Sequence, residues 1–317
     1  MNSFDIDATT LQDEAARAGW LYYAGGLTQD QIAAELGVSR QRAQRLVSRA
    51  MAEGLVHVRL NHRIGACLDL EARLTKRYAL TRCRVAPDFG PGGDAARAIA
   101  QSAAAELERT LREPAPQVIA FGTGRALRAM AEEFTPPDAR QHRIVSLIGN
   151  IGPDGSATLY DVIRRVAEKL RAPYFPMPVP VISDTPEERA FFFHLRPVQT
   201  VIALAQKADV TFVGVGQMND DAPLFLDGFV TREELTALQA QGAVGEICSW
   251  VYDAQGRYLD AARNALIGAV RVEPHRDRPV IGVAAGPGKV AALRGALVGR
   301  IINGLVTDES TAKSLLD

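Results

Sequence analysis

Cysteine is nearly absent from this chain: Cys67, Cys83 and Cys248 stand far apart in 317 residues. None forms a Cys-x-x-Cys pair and none has a histidine partner at ligand spacing. That argues against a disulfide framework and a structural zinc, predicts no bound metal, and points to a reducing, cytoplasmic setting. No apolar run approaches the roughly 18 residues of a membrane span. The most apolar late stretch, residues 295–306, is interrupted by Arg300 and Asn303. The N-terminus lacks the basic-then-apolar pattern of an export signal. No internal repeat or low-complexity tract stands out. Net charge is missing too: 36 basic against 37 acidic residues leave −1, so nothing pulls the whole molecule toward nucleic acid. Any such affinity must come from a local feature. The length suggests about two domains.

That local feature lies at residues 28–47. Thr28 is an N-cap candidate, and Gln31 three places on completes a capping box. Ile32, Ala33 and Leu36 share one helical face. Gly37 sits where the chain must turn, Val38 fills the space beneath, and Ser39 caps the next helix. Ala43, Leu46 and Val47 then face inward. Arg40, Gln41, Arg42, Gln44, Arg45, Ser48 and Arg49 are left outside, and no acidic residue lies between Glu35 and Glu53. Two short helices joined by a tight turn, with Arg and Gln crowding the second, are the pattern of a helix-turn-helix that enters the DNA major groove. Arg reads guanine and Gln reads adenine through paired hydrogen bonds; other contacts clamp phosphates. Thr28, Gln29, Ser39, Arg40, Gln41, Arg42, Gln44 and Arg45 are the candidate DNA contacts. The acidic Asp5, Asp7, Asp13 and Glu14 imply only that the extreme N-terminus stays off the duplex. Residues 54–60 alternate as a strand, either a small wing or a lead out of the domain, with Arg59, His62 and Arg63 near phosphates. The reading sets a DNA-binding domain at 1–62, all-α or winged, and a second domain at 63–317.

Residues 67–80 carry an apolar line through Leu70 and Leu74. They form a connecting helix that either pairs with a partner subunit or packs on its own domain. Beyond them, helices and short apolar strands alternate. Strands are expected at 84–87, 117–121, 143–148, 210–213 and 280–284, and helices at 94–112, 125–134 and 160–171. Such alternation predicts an α/β domain with a mostly parallel sheet. Glycines gather in the loops after strands, at 121–125, 148–152, 213–217 and 285–289. Ligands of open α/β sheets bind there, and a Gly-rich loop opening a helix offers N–H groups to an anion. Gly122, Thr123, Gly124 and Arg125 make the best cradle. Lys289 supplies a second cation, and Glu246 is an acceptor for sugar hydroxyls. Neither Gly122-x-Gly124 nor Gly214-x-Gly216 extends to the dinucleotide fingerprint, since Leu127 and Asn219 hold the third place, and neither loop is a Walker A sequence. No role falls to His142, His194 or His275.

Together these segments resemble the sorbitol-operon regulator (SorC) family of bacterial transcription factors, within the broader deoxyribonucleoside-regulator group. The likeness spans nearly the whole chain. It rests on residues 20–23 and 26–29, residues 32–39, 121–125 and 242–247, and above all 285–289 followed by 304–316. The resemblance implies a Rossmann-like effector domain similar to glucosamine-6-phosphate deaminase and ribose-5-phosphate isomerase. It implies a sugar phosphate, sugar or polyol as effector, operator DNA as partner, and a homo-oligomer, tetramer or dimer. It places phosphate at Gly122, Thr123, Gly124 and Arg125, and lines the remaining pocket with Asn150, Glu246 and Lys289. Two departures stand out. Some relatives capture ligand through a Schiff-base lysine near the second Gly loop, but residues 147–152 hold no lysine. The last Gly motif reads Ala-Gly-Pro-Gly-Lys where Gly-Gly is usual.

The leading expectation is therefore a regulator of a carbohydrate or polyol operon, cytoplasmic, with no membrane contact and no cofactor beyond its effector. Effector binding would shift the placement of DNA-binding units in the oligomer. The competing expectation is a sugar-phosphate isomerase or deaminase carrying a DNA-binding appendage. It is disfavoured because Glu246 has no partner acid or base by spacing.

Overall fold

The computed structural model describes residues 3–56, 64–90, 92–136, 139–152, 154–157 and 162–317. The chain divides into two compact units, Met1–His62 and Arg63–Asp317.

In the first unit, helices α1 (Ser3–Tyr23), α2 (Gln29–Leu36) and α3 (Arg40–Ala52) enclose a small core. Ala15 and Ala18 of α1 join Ile32, Ala33, Ala43, Leu46, Val47 and Ala50 there. The side chains are short, so the helix backbones approach closely. Thr28 caps α2 through a full capping box with Gln31. Gly37 ends α2 at φ 64°, a left-handed conformation that favours glycine. The Ser39 hydroxyl accepts the Arg42 N–H and starts α3. Periodicity names no helix ahead of residue 28, so α1 is an addition to the sequence reading. The strand expected at 54–60 lies mostly outside the described residues, with Arg59, His62 and Arg63; residues 54–56 are not strand.

The second unit opens with α4 (Gly65–Tyr78), which buries Cys67, Leu70 and Leu74 on its own unit. Then follow β1 (Arg82–Ala86), α5 (Ala95–Leu111), β2 (Val118–Phe121), α6 (Arg125–Glu133), β3 (Arg143–Ile151), α7 (Val162–Leu170) and β4 (Tyr174–Pro180). Helices α8 (Pro186–His194) and α9 (Arg196–Gln206) lead to β5 (Val210–Gly214) and β6 (Gly216–Gln217). Helices α10 (Pro223–Leu226) and α11 (Arg232–Ala240) precede the hairpin of β7 (Ala243–Ile247) and β8 (Trp250–Asp253). Strand β9 (Val280–Val283), α12 (Val290–Val298), β10 (Gly304–Asp308) and α13 (Glu309–Leu316) close the chain.

Seven of these strands form one parallel sheet in the order β1-β10-β9-β5-β2-β3-β4. Side chains alternate between its faces. Ile119, Phe121, Phe212 and Val283 pack with α5, α6 and α7, where the Phe121 and Phe212 rings stack at 5.4 Å. Ala120, Val145, Val213 and Leu305 pack with α4, α9, α12 and α13. Apolar residues on both faces make this a doubly wound sheet. From β2 the chain runs outward through β3 and β4, then returns to β5 on the opposite side of β2 and continues through β9 to β10. The β2/β5 boundary is thus a topological switch point, where such folds open a crevice. A separate antiparallel sheet, β6-β7-β8, hangs from the end of β5.

Candidate functional site

A cavity of about 600 Å³ opens at the carboxyl ends of the strands. All four glycine loops contribute to it: Thr123, Gly124 and Arg125 after β2, Ile148, Gly149 and Gly152 from β3, Gly214 to Gln217 after β5, and Ala285 and Lys289 after β9. The β2 and β5 loops touch backbone to backbone. A Cβ on Gly214 would lie 2.5 Å from the Thr123 carbonyl oxygen, so a side chain there would force the crevice apart.

The cavity lining combines a donor side with an acceptor side, close enough for Lys289 and Glu246 to feel one another's charge. On the donor side, α6 begins at Gly124 without a side-chain cap. Its first N–H groups lack intrahelical partners and carry the positive end of the helix dipole. Arg125 sits on the same turn, and Lys289 reaches the cavity from the 3-10 turn after β9. Burial pulls the Lys289 ammonium down to about 8, a fall that Glu246 opposes and Arg125 deepens.

Glu246 marks the acceptor side. In the β6–β7 ladder it lies directly opposite Gly216. Its carboxylate folds over that glycine so closely that a Cβ at 216 would be 2.0 Å from Oε1. The Ser249 N–H donates to Glu246 Oε2 at 2.8 Å. Burial raises the Glu246 carboxyl above the usual carboxylate range, against the pull of that N–H, of Lys289 and of buried Arg263. Arg263 in turn donates to the Ser249 carbonyl at 2.8 Å. The β7–β8 turn is formed by Cys248 and Ser249 at φ 51° and 68°, the left-handed pair of a tight hairpin, here built without glycine or asparagine.

Two polar side chains that sequence reasoning does not single out complete this side. Ser249 is 1% exposed and lines the cavity, yet its Oγ has no hydrogen-bond partner. Gln217, also in the lining, donates its amide to the Asp221 carbonyl at 3.0 Å, which leaves Oε1 buried and unpartnered. A buried polar atom without a partner is costly, and native proteins rarely leave one unless a ligand or water meets it. Neither position carries a sequence signal, because strand pairing and a glycine-free turn bring them together.

Two residues expected in the pocket fall elsewhere. The Gly122 N–H donates to the Phe212 carbonyl at 2.8 Å and is spent on the β2–β5 seam, so Gly122 is structural and outside the lining. Asn150 is exposed and also outside it, because β3 continues to Ile151 where a loop was expected. Thr123, Gly124, Arg125, Glu246 and Lys289 do line the cavity.

On the first unit, Arg40, Gln41, Arg42, Gln44, Arg45 and Ser48 are exposed along α3, and Arg49 is half-buried. Thr28 and Ser39 spend their hydroxyls as caps, and Gln29 is the half-buried first residue of α2. The helix is not as purely basic as the sequence implies. Arg42 pairs with Glu14 of α1 at 2.8 Å, Arg40 with Asp30 of α2 at 3.4 Å, and Arg49 with Glu53 at 2.6 Å. Glu14 therefore does more than keep the N-terminus off DNA: folding carries it to the reading helix.

Comparison with known proteins bears on both units. Residues 62–317 match the sugar-binding domain family and residues 17–63 the MarR family. The chain is 35% identical over 302 residues to the erythritol catabolism regulatory protein EryD of Brucella abortus (strain 2308), covering 95% of this chain and 96% of that one. It is 32% identical over 314 residues to the transcriptional regulator LsrR of Enterobacter sp. (strain 638), covering 98% and 94%. The crystal structure of the full-length sorbitol operon regulator SorC from Klebsiella pneumoniae matches with a TM-score of 0.72 at 29% identity, covering 96% of this chain and 99% of that one. The chain belongs to the SorC family. It is a DNA-binding transcriptional regulator with a sugar-binding effector unit, and its relatives are regulators rather than isomerases or deaminases. Among the described residues no helix is long and apolar enough to cross a membrane, and no cluster of three or more metal-ligating side chains occurs.

Proposed function

We propose that this SorC-family regulator controls a carbohydrate- or polyol-catabolic operon from the cytoplasm, as a homo-oligomer, in response to a small polyhydroxylated effector bearing one anionic group. The observation that carries the reading is the pair of buried, unpartnered atoms, Gln217 Oε1 and Ser249 Oγ, on two residues that line the same cavity as Glu246. Glu246 and Gln217 offer acceptors, which call for ligand hydroxyls that donate. In the same lining, the uncapped α6 N-terminus, Thr123, Arg125 and Lys289 suit a phosphate or a comparable anion. Sugar or polyol phosphates meet both demands at once. The erythritol and sorbitol regulators among the relatives favour short polyols as the carbon skeleton.

A thermal-shift screen of polyol phosphates, sugar phosphates and their unphosphorylated forms tests this. A compound that binds only the folded state at a hundred times its Kd stabilises by about 2.7 kcal/mol. Phosphorylated polyols are expected to shift the melting temperature most, and Gln217→Ala and Glu246→Gln to weaken that shift. A screen in which no polyhydroxylated compound stabilises the chain defeats the reading. Effector and operator affinities should also change one another by the same factor.

A further inference from the structure

On α3 the arginines are not equivalent. At about 100° per residue, the buried stripe of Ala43, Leu46, Val47 and Ala50 fixes the opposite crest of the helix. Gln41, Arg45 and Ser48 fall on that crest, with Gln44 beside it. Arg40, Arg42 and Arg49 fall on the flanks. Each flanking arginine is tied to a carboxylate: Arg40 to Asp30, Arg42 to Glu14 and Arg49 to Glu53. Three different helices or helix ends supply those carboxylates, so the pattern is not a by-product of one i,i+4 repeat. Among the described residues, Arg45 has neither an ion pair nor a side-chain hydrogen bond. The one arginine on the crest is therefore the one left uncommitted.

We infer that Gln41 and Arg45 are the base-reading side chains of this regulator, and that Glu14 and Asp30 hold the flanking arginines back from the phosphates to favour sequence choice over indiscriminate affinity. The inference rests on the DNA-binding reading of α2 and α3. The physical reason is a difference in range. Phosphate contacts raise affinity for every sequence alike, and each one released by salt steepens the salt dependence. A carboxylate beside a flanking arginine cancels that pull and adds repulsion toward the duplex. The crest residues are untouched by it, because base contacts depend on short, directed hydrogen bonds. Glu14 is thus a positioning residue, acting through Arg42 rather than by touching DNA.

The test is selection from a randomised duplex library with the full-length chain, followed by binding titrations at several salt concentrations on the enriched duplex and on a random duplex. Arg45→Ala should erase a guanine preference and lower discrimination on the order of tenfold to a hundredfold. Arg45→Lys keeps the charge but not the planar fork, so it should lose discrimination with the salt slope unchanged. Glu14→Gln should leave the enriched sequence as it is, tighten random-duplex binding roughly two- to fivefold, and steepen the salt slope by about 0.9. Arg42→Ala should leave the enriched sequence intact. Circular dichroism melts confirm that each variant is folded. Loss of a base preference in Arg42→Ala, its retention in both Arg45 variants, or an unchanged salt slope in Glu14→Gln overturns the inference alone. A wild-type chain that enriches no sequence overturns it together with the assignment of α3 as the reading helix.

Discussion

Among the described residues of Met1–His62, five of the eight that form the buried core are alanines, whereas the sheet of Arg63–Asp317 is sandwiched between two clusters rich in Val, Leu, Ile and Phe. The small unit holds together by letting helix backbones come close, with Ile32 and Leu46 the bulkiest buried side chains among its described residues. A domain of about 60 residues buries too little surface to be more than marginally stable. The large unit buries far more apolar surface, and it carries costly features at its cavity: a carboxyl lifted by burial, a left-handed Cys248–Ser249 pair and two unpartnered polar atoms. Sequence choice sits on the fragile scaffold and ligand choice on the robust one.

The sharpest way to break this contrast is Ile32→Ala. Truncating a fully buried Ile costs roughly 2–5 kcal/mol, enough to unfold the small unit. DNA binding should vanish while a stabilising effector still raises the melting temperature of the sheet unit, as calorimetry of the full chain will show. Simultaneous loss of effector binding would mean that the two units do not differ as described. The next largest effect belongs to the cavity. Gln217→Ala together with Ser249→Ala removes both unpartnered atoms, and effector affinity should fall about tenfold or more in isothermal titration, at roughly 1 kcal/mol per lost hydrogen bond. Sheet-unit stability should hold or rise, since two buried polar groups go with them. A clear drop in stability instead would show that these atoms serve the fold.

Acidity sharpens the comparison further. Lys289 titrates near 8 in the folded chain, below the 10.5 of a free lysine. Between these values the unfolded chain binds the extra proton, so this group makes stability rise as pH climbs from about 8 to 10.5 and imposes a constant penalty below. An anionic effector favours the charged ammonium. Its affinity should decline as pH rises above 8, where the ammonium is lost, and Lys289→Met should remove that decline. A pH-independent wild type would exclude Lys289 from anion binding. The smallest effects are the caps. Thr28→Ala or Ser39→Ala should each cost about 1 kcal/mol, seen as a lower melting point for the small unit and none for the sheet unit.

The two units also differ in how far they can be read from residues alone. The helix-turn-helix carries its evidence locally: a capping box at Thr28 and Gln31, a glycine turn, and a stripe of small apolar residues, all within 20 positions. Helix α1 escapes because neither a cap nor a turn marks it among mixed alanine and acidic residues. The glycine loops announce strand ends, so the crevice at β2 and β5 is legible. Strand β4 is not, since Pro176, Pro178 and Pro180 read against a strand and are tolerated only on a sheet edge, where β4 lies. The acceptor side is the least legible part. Gln217, Glu246 and Ser249 meet through β6–β7 pairing and a hairpin turn with none of the usual turn residues, so chain spacing says nothing of their proximity. Asn150 fails for the opposite reason: its motif is clear, but three more residues of strand leave it exposed and outside the cavity lining.

The bare backbone at Gly216 has a consequence for which parts of the cavity can be altered independently. Glu246 occupies the space any substituent there would need, so a side chain at 216 displaces the carboxylate. Replacing the Gln217 or Ser249 side chain, by contrast, alters the cavity lining and leaves the Glu246 carboxylate seated over Gly216 on the Ser249 N–H.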